Sequence, residues 1–303
     1  MSFRINYDSP RMLSAFLDEQ GLGMRKKFGQ NFLINPGARK KLLEALEITP
    51  GDEVWEIGPG LGAMTRGLLE QGAVVTAFEI DPGFSRILKS GFQESKNFRL
   101  VTGDVFKTWG TVEGDAPFLL GNLPYNIGAA LLADFIEKNR FFKRMVVTLQ
   151  RETANRMLAS PGSKDYSSFS VLCASVYTIT PLMVLKGASF YPVPKVESQG
   201  VRLDRRIAAE GGKRPVFFSA LVRSLFASRR KTLRNNLQNF VLSGIINKDA
   251  VGNKKRVEEF CMTVLESSGV DPRKRAETLG YEEFFILART LEELSRGDTS
   301  GRI

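Results

Sequence analysis

The stretch Gly121-Asn122-Leu123-Pro124-Tyr125-Asn126-Ile127 sets an amide, a proline and an aromatic ring side by side. It follows the apolar run Pro117-Phe118-Leu119-Leu120 and precedes a helical pattern from Ile127 to Lys138. That order predicts a buried strand ending in a tight turn. Ligands of open α/β sheets bind beyond the carboxyl ends of the strands. An Asn-Leu-Pro-Tyr turn in that place is equipped to hold a planar base that carries an exocyclic amine. The chain has no histidine, which excludes Ser-His-Asp and Cys-His catalysis and most zinc sites. Its two cysteines, Cys173 and Cys261, have no metal-like spacing and read as reduced cytosolic thiols. Chemistry here must run on carboxylates, amides, backbone groups or a cofactor.

A second set of residues could hold that cofactor. Glu53-Val54-Trp55-Glu56-Ile57 predicts a short buried strand running into Gly58-Pro59-Gly60-Leu61-Gly62, with a helix from Ala63 to Gln71. A glycine-rich turn between strand and helix lets a ligand approach the backbone closely. The next strand, Val74 to Asp81, ends in acid, and Glu79 stands 21 residues after Gly58, about where a ribose-binding carboxylate is expected. A third strand, Phe98 to Thr102, leads into Gly103-Asp104. As a set the acids suit an adenosine ligand, Glu79 on the ribose hydroxyls and Asp104 on the adenine amine. Each alone also reads as a helix N-cap. Dinucleotide enzymes share this beginning, but Glu56-Ile57-Gly58 is more familiar from S-adenosylmethionine (SAM) enzymes, and no arrangement for hydride chemistry stands out. Arg25-Lys26-Lys27-Phe28-Gly29-Gln30-Asn31-Phe32-Leu33 reads either as a charged loop or as a lid with cations toward phosphates and Gln30, Asn31 and Leu33 toward a ligand.

The elements that must position these groups follow from apolar periodicity. Helices are expected from Ser9-Pro10 to about Gln20, from Pro36 to Leu46, from Arg151 to Ala159 and from Ser167 to Tyr177. Arg144 to Gln150, Met183 to Leu185 and Gly200 to Leu203 complete seven strands. Between the last two, Phe190-Tyr191-Pro192-Val193-Pro194-Lys195-Val196 reads as a proline-stiffened loop. The fold class is α/β: a doubly wound, Rossmann-like seven-stranded sheet over residues 1–205, then a small all-α domain over 206–303. Helices in that second domain are expected over Pro215–Ala227, Arg230–Phe240, Asn247–Glu259 and Tyr281–Leu294. The net charge is +10, and the span from Arg205 to Asn235 holds nine basic residues against one acid. Such a module suggests a polyanion partner, with a merely solvated surface as the alternative. No apolar run approaches the 18 or so residues of a membrane span, and the N-terminus has no apolar core of the signal-peptide kind.

Five motifs in order carry a resemblance. They are Phe28-Gly29-Gln30-Asn31-Phe32-Leu33, Glu56-Ile57-Gly58-Pro59-Gly60-Leu61-Gly62, Asn122-Leu123-Pro124-Tyr125-Asn126-Ile127, Phe190-x-Pro192-x-Pro194-Lys195-Val196 and Phe226-x-x-Arg229-Arg230-Lys231-Thr232-Leu233. Together they closely resemble the KsgA family of ribosomal RNA small-subunit dimethyladenosine transferases, over nearly the whole chain. The resemblance implies a SAM-dependent methyltransferase, without a metal, that dimethylates two adjacent adenosines near the 3′ end of small-subunit rRNA in the cytoplasm. It also implies a role in ribosome biogenesis and a monomer. Asn31, Leu33, Gly58, Glu79, Asp104 and Asn122 fall on SAM-binding positions; Asn122, Leu123, Pro124 and Tyr125 meet the target base, with Phe190 stacking on it. Arg25, Lys26, Lys27, Lys195, Arg229, Arg230, Lys231 and Arg234 are the expected RNA contacts, with Arg230 and Arg234 on one helical face. Gly128-Ala129 departs from the family, which often has hydroxyl residues there. The nearest rival is a large-subunit rRNA methyltransferase of the antibiotic-resistance type; a non-catalytic ribosome-assembly or RNA-binding factor is the other.

Overall fold

The computed structural model describes residues 5–23, 30–114, 116–206, 214–246 and 254–297. Continuous apolar runs make its central strands. Val54, Trp55 and Ile57 are buried in β2 (Glu53–Ile57), Val75, Ala77 and Phe78 in β3 (Val74–Glu79), and the middle of β6 (Arg144–Gln150) is buried throughout. Strands buried on both faces need no alternation of polar residues. With β4 (Phe98–Thr102), β5 (Phe118–Asn122), β7 (Tyr177–Leu185) and β9 (Ser198–Arg205) they form a seven-stranded sheet in the order β4-β3-β2-β5-β6-β9-β7. The first five are parallel, so their carboxyl ends share one edge; β9 runs antiparallel to β6.

Successive residues of a strand face opposite sides. On one side Val54, Val75, Phe118 and Val146 meet Leu42 and Leu46 of α2 (Pro36–Leu46) and Leu68 of α3 (Ala63–Glu70). Trp55, next along β2, packs its ring 4.9 Å from Phe78 and 5.6 Å from Phe142. Phe142 in turn meets Phe135 of α6 (Gly128–Glu137). Before the sheet, α1 (Pro10–Glu19) starts as the sequence predicts, with the Ser9 hydroxyl accepting the Met12 N–H. Its Leu13 and Leu17 pack with Leu61, Phe84 and Ile87; Phe84 and Ile87 lie on α4 (Pro82–Gly91).

Three features depart from the expected pattern. A two-stranded antiparallel ribbon pairs β1 (Phe32–Leu33) with β8 (Phe190–Tyr191), placing Leu33 opposite Phe190. Two-residue strands have no period to read. The helix α8 (Ser168–Ala174) stops early, and Tyr177 to Leu185 is one long strand. Pro181 hides it in the sequence, yet β7 lies at the sheet edge, where proline is tolerated. Finally, the chain divides into two compact units, Met1–Ala154 with Thr178–Arg205 and Asn155–Tyr177 with Arg206–Ile303. The helical unit is therefore not the contiguous 206–303 segment expected. Tyr166, Val171 and Leu172 belong to its core, and the Tyr166 hydroxyl donates to the Leu279 carbonyl at 2.7 Å.

That core is built by Leu221 and Leu225 of α9 (Phe218–Phe226), Leu237 and Phe240 of α10 (Leu233–Leu242), Cys261 and Leu265 of α11 (Lys254–Ser268), and Phe284, Leu287 and Leu291 of α12 (Tyr281–Gly297). Arg229, Arg230 and Lys231 stand in a turn ahead of α10, with Thr232 extended at its N-cap. The helical face shared by Arg230 and Arg234 is thus corrected: only Arg234 is helical. Most of the helix start expected at Asn247 lies outside the described residues.

Candidate active site

The parallel strand ends deliver the functional groups to one cleft. Ile57 is in register with Gly121, so the next residues along, Gly58 just after β2 and Asn122 at the end of β5, are neighbours. A Cβ on Gly58 would sit 3.7 Å from the Asn122 carbonyl oxygen. Gly58 has φ +69° and Gly60 φ +60°, and a Cβ on Gly60 would press 3.0 Å from the Phe32 ring. Glycine is what allows this turn to close under its cover. The cleft is lined by Asn31, Leu33, Gly58, Glu79, Asp104 and Asn122, which are all the residues expected at the cofactor. Pro124 and Ile127 also line it.

The acids divide the work. Asp81 caps α4, its Oδ1 accepting the Gly83 N–H at 2.7 Å, and its Oδ2 accepts from Gln30 Nε2. Glu79 is 4% exposed and accepts the Asp81 N–H at 2.8 Å and the Gly60 N–H at 3.1 Å. Its carboxyl ties the end of β3 to the glycine turn, and burial pushes its pKa up to about 7 against these hydrogen bonds. Glu56 is fully buried behind it. Its Oε2 accepts the Thr65 hydroxyl at 2.6 Å, and burial, with the Glu79 charge adding to it, raises it to about 7. Asp104 lines the cleft and also caps the short helix α5 (Val105–Thr108) through the Phe106 N–H.

Asn122 is the last residue of β5, one position inside the strand rather than in the turn. Its Nδ2 donates to the Asn31 carbonyl at 2.8 Å, and its Oδ1 accepts from the Thr148 hydroxyl. Leu123 is buried and donates its N–H to the Thr148 carbonyl at 3.2 Å. The Pro124 carbonyl accepts the N–H groups of Ile127 and Gly128, closing the turn. Tyr125 is partly exposed, and its hydroxyl shares a 2.5 Å hydrogen bond with Ser198, which is fully buried at the start of β9. Phe190 is different: at 2% exposure it belongs to the sheet core with Leu185 and Leu33 and does not line the cleft. As placed, it offers no face to a base.

The model of the ribosomal RNA adenine dimethylase family matches residues 21–266. The chain belongs to that family. It is 41% identical over 294 residues to the ribosomal RNA small subunit methyltransferase A of Treponema denticola, covering 95% of this chain and 97% of the relative. A dimethyladenosine transferase from Plasmodium falciparum superposes with a TM-score of 0.71 at 30% identity, over 84% of this chain and 94% of that one. The 23S rRNA methyltransferase ErmE shares the fold, with a TM-score of 0.56 at 22% identity over 86% and 98% of the two chains.

Within this adenine dimethylase, four residues near the cleft escape sequence reasoning. Thr148 reads only as an ordinary β-former within its strand, and Ser198 lies before the strand expected from Gly200. Tyr7 and Arg39 line the cleft. The Tyr7 hydroxyl donates to the Leu61 carbonyl at 3.0 Å, and burial pushes it up to about 12. Arg39 donates to the Leu33 carbonyl at 2.8 Å and pairs with Asp8. The expected RNA contacts separate. Arg25, Lys26 and Lys27 lie outside the described residues, and Lys195 is exposed in the loop before β9. In the helical unit, Arg229 is tied to Glu277 at 2.9 Å and to the Lys164 carbonyl, and Arg234 pairs with Glu258. Arg230 and Lys231 are exposed. Beneath them the buried amide of Asn236 donates to the carbonyls of Leu225 at 3.0 Å and Ser228 at 3.1 Å, and more weakly to that of Lys231 at 3.4 Å.

Proposed function

We propose that this protein transfers methyl groups from SAM to the exocyclic amines of two adjacent adenosines near the 3′ end of small-subunit rRNA, acting in the cytoplasm during ribosome biogenesis. The observation that carries this reading is the adjacency of the glycine turn and the Asn122–Tyr125 turn on neighbouring strand ends. One is a cradle for a nucleoside, the other a clamp for an amine. The residues present fit SAM. Positive-φ glycines leave the backbone of the cleft bare, and Glu79 and Asp104 line it with acid suited to ribose, to an adenine amine and to a cation. When bound, SAM supplies a methyl group on a positively charged sulfur.

The adenine amine is a poor nucleophile because its lone pair is delocalised into the ring. The Asn122 Oδ1 and the Leu123 carbonyl accept its two N–H bonds, which favours a pyramidal nitrogen. The amine gains positive charge as it reacts, so these oxygens hold it more tightly in the transition state than before. Pro124 has no N–H to compete and stiffens the turn. Tyr125 stacks on the base, a contact worth about 1–3 kcal/mol in single-strand binders, and Ser198 holds its ring in place. This contact offsets the cost of unstacking the adenosine. The cationic product amine loses its proton to water, so no general base is required. Arg230 and Lys231, with Lys195, contact phosphates and supply affinity more than sequence reading.

The decisive experiment incubates the protein with labelled SAM and either undermethylated small subunits or large subunits, then maps the modified base. Label at adjacent adenosines of small-subunit RNA is the expected result. Label confined to large-subunit RNA overturns the substrate; SAM binding without transfer to either overturns the activity.

A further inference from the structure

The Asn122 amide is held on both sides, and the side facing β6 has no part in the function so far. Thr148 is in register with Asn122 across the β5–β6 pair and is 1% exposed. The Asn31 carbonyl can only accept, so it fixes Nδ2 on its own side at 2.8 Å. Oδ1 must then face Thr148, and the Thr148 hydroxyl must donate to it. The main chain of the same residue accepts the Leu123 N–H. Thr148 therefore grips both residues whose oxygens receive the target amine, and its branched side chain has little rotamer freedom with which to leave.

We propose that Thr148 is a positioning residue that allows the second methylation to follow the first. This rests on the role given to Asn122 above. An amide oxygen has two lone pairs; Thr148 occupies one and leaves the other for the amine. Unmethylated adenine brings two N–H bonds for two acceptors. In the first transfer the nitrogen lone pair forms the N–C bond, the methyl–sulfur bond breaks with its electron pair left on sulfur, and the extra proton leaves to water. The monomethylated amine brings only one N–H to the second transfer, which has the same balance. One acceptor then loses its donor. If the Leu123 carbonyl keeps the remaining N–H, Asn122 Oδ1 is still satisfied, because the Thr148 hydroxyl stays. Without that hydroxyl the oxygen is left bare only in the second step.

The test compares Thr148→Ser with Thr148→Ala, which lose the same methyl group and differ only in the hydroxyl, together with the near-isosteric Thr148→Val. Undermethylated small subunits are the substrate, and nucleoside mass spectrometry reads the ratio of monomethyl- to dimethyladenosine at equal total methyl incorporation. A bare buried acceptor slows the second step by roughly tenfold, within a range of about 5 to 100. The ratio is therefore expected to rise about tenfold in the Ala and Val variants and to stay near wild type in Thr148→Ser. SAM affinity by calorimetry and melting temperature should match between Ser and Ala. Equal product ratios in Ser and Ala overturn the proposal, as does a loss of both transfers in equal measure. Asn122→Ala, run alongside, separates the two layers. If it retains transfer, the acceptor reading fails; if it is inactive while the Thr148 variants keep the wild-type ratio, only the role of Thr148 fails.

Discussion

Two asparagines, one in each unit, show how the same side chain is put to opposite uses. Asn236 is 1% exposed and donates to the Leu225 carbonyl at the end of α9 and to the Ser228 and Lys231 carbonyls of the turn that displays Arg230 and Lys231. Nothing of its donor side is left over; it is a clamp. Asn122 stands at a strand end on a cleft, with its NH₂ committed to Asn31 and its oxygen shared with Thr148. One acceptor site on that oxygen is left for a ligand. The difference lies in what the surroundings leave unfinished: a buried amide with its donors spent gives shape, and one with a lone pair over a cleft is open to a ligand.

Substitutions at the two asparagines should separate these uses most sharply. Asn122→Ala is expected to lower methyl transfer by about 100-fold or more, the scale of removing one preorganised partner of a developing charge. RNA affinity and melting temperature should stay close to wild type; unchanged turnover would end the contrast. Asn236→Ala should do the reverse. Three carbonyls lose a buried donor, a loss of roughly 2–3 kcal/mol from the helical unit. Calorimetric melting should show it, with the KM for the ribosomal subunit raised and SAM affinity intact.

The turn that Asn236 shapes offers a smaller test. Arg230→Ala with Lys231→Ala should weaken RNA binding by about tenfold at moderate salt and reduce the salt slope by roughly 2, one per phosphate contact. If Arg230 and Lys231 make no phosphate contact, the slope measured in a salt titration will not move. A last effect is read in pH. Glu56 and Glu79 have folded pKa values of about 7 against an ordinary 4.5. The folded state therefore holds more protons between these values than the unfolded state, and stability falls as pH rises through that window. Melting of the sheet unit should decline from pH 4.5 to 7, and Glu56→Gln should flatten the decline.

Much of the sheet is legible in the sequence because its strands are continuous apolar runs. Glu53–Ile57, Phe98–Thr102 and Arg144–Gln150 have the expected bounds. The glycine turn and the acids that follow the strands are legible for the same reason, as each sits where a run stops. What escapes is pairing between distant segments. The Phe32–Tyr191 ribbon, the Thr148 and Ser198 hydroxyls and the return of Tyr166 to the helical core all depend on neighbours far away in the chain. Phe190 shows the opposite error. The resemblance implies a stacking role for its ring, but its place opposite Leu33 puts it in the core. The basic run at Arg229 looks helical by composition, yet Thr232 is extended and the helix begins after it.

The ribbon of Phe32–Leu33 against Phe190–Tyr191 has a consequence for the Asn122 amide. Asn31 is the residue just before it, and its carbonyl holds the Asn122 amide. The front end of the chain thus works as a latch on a group more than ninety residues downstream. Trimming the protein to begin at Pro36 would spare every strand of the large sheet and still unlatch that amide. Such a truncation also strips α1 from Leu61, Phe84 and Ile87, and it is expected to fail as an enzyme.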